Sequence, residues 1–444
     1  MDDRPLVRFR VTENIALLYL ANPPGNALTA PLRRALSDRL DEIERRDRIE
    51  AIVLMAEGPV FSEGLPGGQG KGGGDAHSLR ALCGRIEGLP IPSVAVLNGG
   101  ALGGGADLAL ACHMRVATRS ARLGFPDIAI GLPPDGGATQ RLPRLAGADI
   151  ALRLLLTGRP VAGQTALDFG LIDGIIEGDP HSAGFATARR IIDEGLRPVP
   201  IRDRRDRLID GAAAMAVIAR ARDALGPAPL LAARRITDCV EAALLLPFDA
   251  GLDFEAEAHA ECHAHSESRA MRALFLAERR ISPMLLVADD AGRRHPRPDG
   301  QIVIGRLGAA QRRAIDWLMA DGVRGEDIDA AFVTRGFARG PLGAGGSPGA
   351  PVKPEVWSRI AGALLAEGAR LIEEGKVRRA GDIDALAVHG MGWPRRLGGP
   401  MISAQIAGLA GQLRRLRDWQ NDDSLWMPST PLVEATKTAD GFPT

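Results

Sequence analysis

The chain has 444 residues, a hydrophobic content of 45% and 55 basic against 55 acidic residues, a formal net charge of zero. This balance excludes a global electrostatic attraction to nucleic acid or to an anionic membrane. No apolar run reaches the roughly 18–20 residues of a membrane span, and the charged start lacks a signal peptide's apolar core. Four scattered cysteines suggest neither a zinc site nor a disulfide framework, so we expect a soluble cytoplasmic protein with no bound metal.

The first part of the chain alternates between strand and helix signals. Apolar runs at 15–20, 52–55 and 92–97 predict buried strands, and residues 29–46 carry apolar positions at helical spacing. The third run leads into the glycine-rich stretch NGGALGGGADLALAC (98–112), where the pattern changes from strand to helix. This alternation predicts an α/β fold.

Later residues predict a different organisation. The patterning is almost wholly helical from about residue 183 to 280, and a charged spacer with helix breakers follows at 289–300. All five tryptophans lie after residue 316. We therefore predict three parts: an α/β domain at 1–195, its helical extension at 196–288, and a mostly α-helical domain at 300–444.

The glycines of 98–112 predict a site for negative charge. Three successive glycines that open a helix place bare backbone N–H groups at the helix N-terminus, where donors and dipole both stabilise an anion. The loop FSEGL (61–65) would supply a second N–H group, and two converging donors form an oxyanion hole. The alternative is that these glycines serve only close packing.

Four motifs in order carry a resemblance to a known family. NPPGNALT (22–29), FSEGL, NGGALGGGADLALAC and FPDIAIGLPPDGGATQRLPRLAG (125–147) together resemble the crotonase, or enoyl-CoA hydratase/isomerase, superfamily over about residues 5–280. The resemblance implies a crotonase-like spiral of ββα turns that forms homo-oligomers, binds acyl-CoA and stabilises a thioester enolate. It implies oxyanion donors at Leu65 and Gly104 and substrate contacts at Asn26, Ala27, Gly64 and Gly103. Coenzyme A enters as part of the substrate, and no tightly bound cofactor is expected.

Three aspartates depart from the family pattern. Asp107 and Asp127 occupy the positions of two catalytic glutamates, and each carboxylate is withdrawn by roughly 1.5 Å. Asp135 stands where the family usually has glycine, as an acid does in the dienoyl-CoA isomerase branch. Three acids around one thioester suit proton transfer between carbons, and they could equally hold a hydrolytic water. An alternative for Asp135 is that it caps the following helix.

Two further patterns do not predict sites. Residues 68–73, GQGKGG, match G-x-G-x-x-G, but no apolar strand leads into them. In ECHAH (261–265), His263 and His265 would diverge by about 200° on a helix, which disfavours a shared metal.

The last part of the chain contains a weak internal repeat. DIDAAFVTRGFARGPLG starts at Asp327 and DIDALAVHGMGWPRRLGGPM at Asp382. Both resemble the helical C-terminal part of 3-hydroxyacyl-CoA dehydrogenases, while the NAD-binding domain that would precede it is missing. We therefore expect no NAD and no hydride transfer. The helical domain would cover the active site, bind a protein partner or build the oligomer.

The leading hypothesis is an enoyl-CoA hydratase/isomerase of β-oxidation-type metabolism. Asp127 would be its main acid/base, Asp107 the partner and Asp135 a third proton carrier. Two alternatives remain open: hydrolysis of a CoA thioester or a carbon–carbon bond, and a catalytically reduced subunit that binds acyl-CoA for assembly.

Overall fold

A computed structural model describes residues 5–65, 77–290, 292–345, 353–439 and 441–442. The chain divides into two compact units, Met1–Ala264 and His265–Thr444. The literal G-x-G-x-x-G stretch at 68–73 lies outside the described residues. Among the described helices, none combines the length and apolar character that crossing a membrane requires.

Two sheets organise the first unit. In chain order the strands are β1 (Val7–Thr12), β2 (Ile15–Leu20), β3 (Ala51–Ala56), β4 (Ser93–Leu97), β5 (Gly100–Leu102), β6 (Met114–Thr118), β7 (Arg122–Gly124), β8 (Val161–Ala162) and β9 (Gly174–Ile176). The larger sheet has the order β1-β2-β3-β4-β6-β9, with β1 antiparallel to β2 and the other pairs parallel, and the smaller has the order β5-β7-β8.

The apolar runs of the sequence become strands that are buried on both faces. In β2, Ala16 and Leu18 enter one hydrophobic cluster, whereas Ile15 and Leu17 enter another. Continuous rather than alternating hydrophobicity is typical of such parallel strands. The predicted α/β architecture followed by a mostly helical region is confirmed.

Helices cover the sheets of the first unit. They are α1 (Ala30–Glu44), α2 (Leu79–Glu87), α3 (Gly104–Ala111), α4 (Ala138–Ala146), α5 (Ala148–Thr157), α6 (Gly163–Asp168), α7 (Pro180–Asp193), α8 (Gly211–Ala224), α9 (Leu231–Leu245) and α10 (Phe248–Ala264). The start of α1 shows why it begins there: Thr29 is the N-cap and accepts from Leu32 N, and a proline occupies the first turn. A 3-10 helix, Pro126–Ile130, precedes α4.

Where the structure describes it, the second unit is helical apart from one hairpin. Its elements are α11 (Ser266–Arg280), β10 (Leu286–Ala288), β11 (Arg294–Pro296), α12 (Pro298–Ala320), α13 (Gly325–Val333), α14 (Pro354–Glu373), α15 (Ala380–Met391), α16 (Pro400–Ile406), α17 (Leu409–Trp419) and α18 (Thr430–Ala435). Buried Trp393 and Trp426 belong to its core.

The division between the units lies earlier than the sequence suggested. We had placed 196–288 with the first domain, whereas α11 lies in the second unit. Leu274 of α11 is fully buried in the core of that unit. Glu278 of α11 accepts from His389 Nε2 at 2.7 Å and from both terminal nitrogens of Arg395. These contacts tie α11 to α15 and to the residues that follow it.

The internal repeat has a shared structural device. Asp329 and Asp384, the third residues of the two Asp-Ile-Asp triplets, are both buried. Asp329 accepts from the backbone N–H groups of Leu342 and Ala344, and Asp384 from those of Met401 and Ile402. Each carboxylate therefore satisfies backbone donors just after a Gly-Pro step, which gives it a structural role.

Candidate active site

The loop FSEGL is joined to the strand that precedes α3. Ser62 N donates to Gly100 O at 2.9 Å, and Leu102 N donates to Ser62 O at 2.9 Å. On the other side, Leu28 N donates to Gly64 O at 2.9 Å. Because these bonds hold the loop from both sides, its last described residue lies beside the N-terminus of α3.

Gly64 makes this close approach sterically feasible. Its φ is +82°, and a Cβ at this position would lie 2.5 Å from Leu102 O and 2.9 Å from Gly104 N. Only glycine accommodates both the left-handed backbone and the contact without strain. Close packing thus requires glycine at position 64, and this packing brings the two predicted donor segments together.

The two predicted oxyanion donors are both available. Within the described residues, the N–H groups of Leu65 and Gly104 have no hydrogen-bond acceptor. Gly104 is the first residue of α3, where helical N–H groups have no partner within the helix. Two free donors beside a helix N-terminus can stabilise a negatively charged oxygen.

Asn26 supports the site rather than offering a free amide. Its Nδ2 donates to Glu57 O at 2.9 Å and to Val60 O at 2.8 Å, and its Oδ1 accepts from Asn22 N. Its own carbonyl accepts from Ser62 Oγ at 2.8 Å. The side chain of Asn26 therefore fixes the segment that leads into FSEGL, and its carbonyl holds Ser62; the substrate contact expected at Asn26 stays a prediction. The neighbouring Ala27 carbonyl accepts from the Asn22 side chain.

Asp127 faces the start of α3. A Cβ at Gly103 would lie 3.4 Å from Asp127 Oδ2, so the carboxylate lies directly against the residue that precedes Gly104. Asp127 Oδ2 is buried and has no hydrogen-bond partner among the described residues. Burial raises the pKa of Asp127 to about 6, and nearby His259 opposes that rise.

Asp107 lies in the first turn of α3 and is only 1% exposed. A Cβ at Gly136 would lie 2.8 Å from its Oδ2, and Oδ1 has no partner within the described residues. Burial raises the pKa of Asp107 well above its ordinary value, and Glu255 and Asp127 raise it further.

Asp135 is brought to the same place by the loop before α4. Burial raises its pKa, while His259, Arg80 and Arg33 lower it. The expectation that Asp135 might cap the following helix is wrong. Gly137 is the N-cap of α4 and has a φ of +101°.

The cap of α4 comes from a residue that the sequence analysis missed. Glu255 of α10 accepts from Gly137 N at 2.6 Å, and from the backbone and hydroxyl of Thr139. Burial raises the pKa of Glu255 to about 7. One turn later, His259 Nδ1 donates to Pro133 O at 2.8 Å. The available signal was the buried face of α10, on which both polar residues recur at helical spacing.

A buried ion pair supports the same loop. Arg141 and Glu87 are each 1% exposed in their side chains, and two nitrogens of Arg141 bond both carboxylate oxygens at 3.1 and 2.9 Å. A third nitrogen of Arg141 donates to Gly136 O at 2.6 Å. This positive charge partly opposes the raised pKa of Asp107.

No metal site accompanies these acids. In the part of the chain that the structure describes, no three His, Cys, Asp or Glu side chains form a metal-binding group.

The second unit contains a cavity of about 340 Å³ lined in part by Asp384, Met401 and Ile402. Its Asp384 carboxylate is engaged by backbone donors, as described above.

The chain is similar in sequence to a known family and to several known proteins. Residues 10–192 match the family model described as enoyl-CoA hydratase/isomerase. The peroxisomal bifunctional enzyme of Danio rerio is 34% identical over 280 residues, which cover 61% of this chain and 37% of that enzyme. A probable enoyl-CoA hydratase of Bacillus subtilis is 39% identical over 173 residues, 37% of this chain and 67% of that protein. The chain thus spans little more than a third of the bifunctional enzyme's length.

A solved structure is also similar to this chain. An enoyl-CoA hydratase/isomerase from Pseudoalteromonas atlantica is 26% identical with a TM-score of 0.45, and the alignment covers 62% of this chain and 97% of that one.

Proposed function

The chain belongs to the enoyl-CoA hydratase/isomerase family, and from this premise we propose that it binds an acyl-CoA thioester and stabilises its enolate. One observation carries the proposal: the free N–H groups of Leu65 and Gly104 lie beside the unpartnered Oδ2 of Asp127. Oxyanion donors next to an acid/base are the groups that removal of a proton beside a carbonyl requires.

In the proposed mechanism the thioester oxygen accepts from Leu65 N and Gly104 N. Each such donor stabilises the developing negative charge by roughly 2.7–4 kcal/mol. Asp127, with a pKa of about 6, is mostly ionised at neutral pH and takes the proton from the substrate carbon. Asp107, whose pKa is raised by burial and by its acidic neighbours, is the partner of Asp127 in this proton transfer.

We propose migration of a double bond, rather than hydration, as the finer activity. Isomerisation needs a group that returns a proton to a carbon distant from the one that lost it. Asp135 is available for this step because Glu255, not Asp135, caps α4. Asp135 is 8% exposed and its pKa is raised by burial, which suits a proton carrier.

The test compares the wild type with Asp127→Asn on 2-enoyl-CoA and dienoyl-CoA substrates. Loss of the acid/base predicts a fall in kcat of about 10²- to 10⁴-fold. Asp149→Asn, at an exposed position of α5, is the matched control and keeps wild-type turnover. Equal turnover by Asp127→Asn and the wild type would rule out this role.

The same assay separates the alternatives. Solvent oxygen-18 in a carboxylate product would indicate hydrolysis instead of isomerisation. Tight binding of CoA esters without turnover over a broad acyl panel would favour an acyl-CoA-binding subunit.

For the second unit we propose a scaffold that builds the oligomer or binds a protein partner, without NAD chemistry. Among the described residues between α11 and α12, the connection forms the β10–β11 hairpin and no further strand or helix. A dinucleotide-binding fold needs more than about 100 residues. Incubation with NAD and a 3-hydroxyacyl-CoA is therefore expected to form no NADH, and steady NADH production would contradict this. The cytoplasmic location and the homo-oligomeric state stay predictions.

A further inference from the structure

One face of α10 holds the loop that carries Asp135 at both of its ends. Glu255 bonds Gly137 N after the aspartate, and His259 bonds Pro133 O before it. The two side chains are four residues apart, so they project from the same side of the helix. The position of Asp135 therefore depends on α10.

The bond to Pro133 fixes the protonation pattern of the His259 ring. A carbonyl oxygen only accepts, so Nδ1 must carry the hydrogen of this 2.8 Å bond. Nε2 of the neutral ring is then a bare acceptor. His259 is 3% exposed, and Nε2 is buried with no partner among the described residues. An unpaired buried acceptor of this kind is costly unless a donor reaches it.

The charged groups near His259 come from several elements. Asp127 lies on the 3-10 helix and Asp135 in the loop before α4, and electrostatic interaction with His259 lowers the pKa of both. From its own helix, Glu255 and the stacked His263 lie one turn away on either side. Around the two aspartates, Arg33 of α1 and Arg80 of α2 act on Asp135, and Asp107 of α3 and Arg141 of α4 interact beside Asp127. The two aspartates are the partners that are themselves part of the proposed chemistry.

We propose that His259 is a positioning residue of this site: Nδ1–H holds the Asp135 loop, and Nε2 accepts a hydrogen bond from the Asp127 or Asp135 carboxyl when that carboxyl carries the substrate proton. This inference rests on the proposed function. The proton leaves a substrate carbon for Asp127, and the C–H electron pair enters the enolate. The proton then passes to Asp135, which returns it to the distal carbon as the enolate collapses, and Nε2 orients the carboxyl that carries it. His259 ends unchanged.

The first test needs no turnover. In ¹⁵N spectra of the full chain, His259 is identified by the signal lost in His259→Asn. We expect the Nδ1–H tautomer in the neutral ring, and an Nε2 signal that shifts in Asp127→Asn or Asp135→Asn. An Nε2–H tautomer, or an Nε2 signal unchanged in both variants, would overturn the proposal even if the protein proves to be an active isomerase.

The second test separates anchoring from proton handling. An asparagine amide can donate to Pro133 O as Nδ1 does, but it has no titratable nitrogen. Leucine has neither a hydrogen-bond donor nor a titratable nitrogen. We expect His259→Asn to keep the wild-type Tm, to lose about a hundredfold in kcat and to change the acid limb of the pH profile. His259→Leu should lose Tm as well, and His263→Asn should retain activity. Wild-type kcat and pH profile in His259→Asn would reduce His259 to a structural anchor.

The two tests keep the failures of the two claims distinguishable. If the wild type turns over no CoA ester, the proposed function fails, and the ¹⁵N spectra alone decide whether Nε2 responds to the aspartates.

Discussion

At the scale of single residues, burial determines what the acids of the site can do. Asp107, Asp127 and Asp135 all have raised pKa values because the folded chain removes their carboxyl groups from water. Burial acts on all three, and Glu255 and Asp127 raise the pKa of Asp107 further. Acids that are held at separate pKa values can take separate roles in one proton transfer.

The raised pKa of Asp127 predicts that its ionised carboxylate destabilises the folded protein at neutral pH. Its folded pKa of about 6 lies above the ordinary 3.8, so the folded protein binds more protons between these pH values. Stability contributed by this carboxyl therefore falls as pH rises through that window. We expect Asp127→Asn to raise the free energy of unfolding at pH 7 on the order of 1–2 kcal/mol, with a smaller gain near pH 4.

Urea unfolding of both proteins at the two pH values measures this difference. Asp149→Asn serves again as the exposed control and should change little at either pH. A less stable Asp127→Asn at pH 7 would mean that the carboxylate is better satisfied than its burial indicates.

At the scale of elements, the sequence assigns α3 and the FSEGL loop to the site, but it does not reveal that α10 contributes to the same site. Local patterning reveals the glycines of 98–112 and Gly64, which the backbone requires at these positions. The structure brings the N–H groups of Leu65 and Gly104 together. The contact between Glu255 and Gly137 joins residues 118 positions apart. Helical spacing predicts that Glu255 lies on the buried face, but it cannot predict which loop that face meets.

The helix-capping alternative for Asp135 was wrong for a related reason. An aspartate before a helix often supplies the cap locally. Here Gly137 adopts a left-handed backbone, and the donors at the start of α4 turn toward Glu255 instead. A tertiary contact overrides the local preference and leaves Asp135 for the site.

This contact gives a prediction for α10. Glu255→Ala leaves Gly137 N and Thr139 N without acceptors, so we expect the free energy of unfolding to fall by about 1–3 kcal/mol. Glu257→Ala, at an exposed position of the same helix, is the control and should change it by less than about 0.5 kcal/mol. Equal losses in the two variants would show that the cap contributes nothing specific.

At the scale of the whole molecule, composition predicts a border near residue 300, whereas the two compact units divide after Ala264. The charged stretch 289–300 resembles a linker because turn-forming residues break the helical pattern. In the structure the same residues contribute to a hairpin, where Asp289 accepts from Arg293 N at 2.8 Å and β11 pairs with β10. Turn chemistry alone does not distinguish a hairpin within a unit from a linker between units.

The division also assigns the chemistry to one part of the chain. Leu65, Gly104, the three aspartates, Glu255 and His259 all belong to the unit Met1–Ala264. The extension that we had regarded as a helical addition therefore contributes α10 to the site, whereas α11 belongs to the second unit.

The central claim is that Leu65 N and Gly104 N polarise a thioester carbonyl, and the infrared band of that carbonyl tests it most directly. A ¹³C-labelled acyl-CoA bound to the wild type should show a band at lower wavenumber than in water. Gly58→Ala, with a left-handed φ of +80° but open space, should retain the shift, whereas Gly64→Ala should lose it because its Cβ would meet Gly104 N. A wild-type band at its position in water would contradict the account.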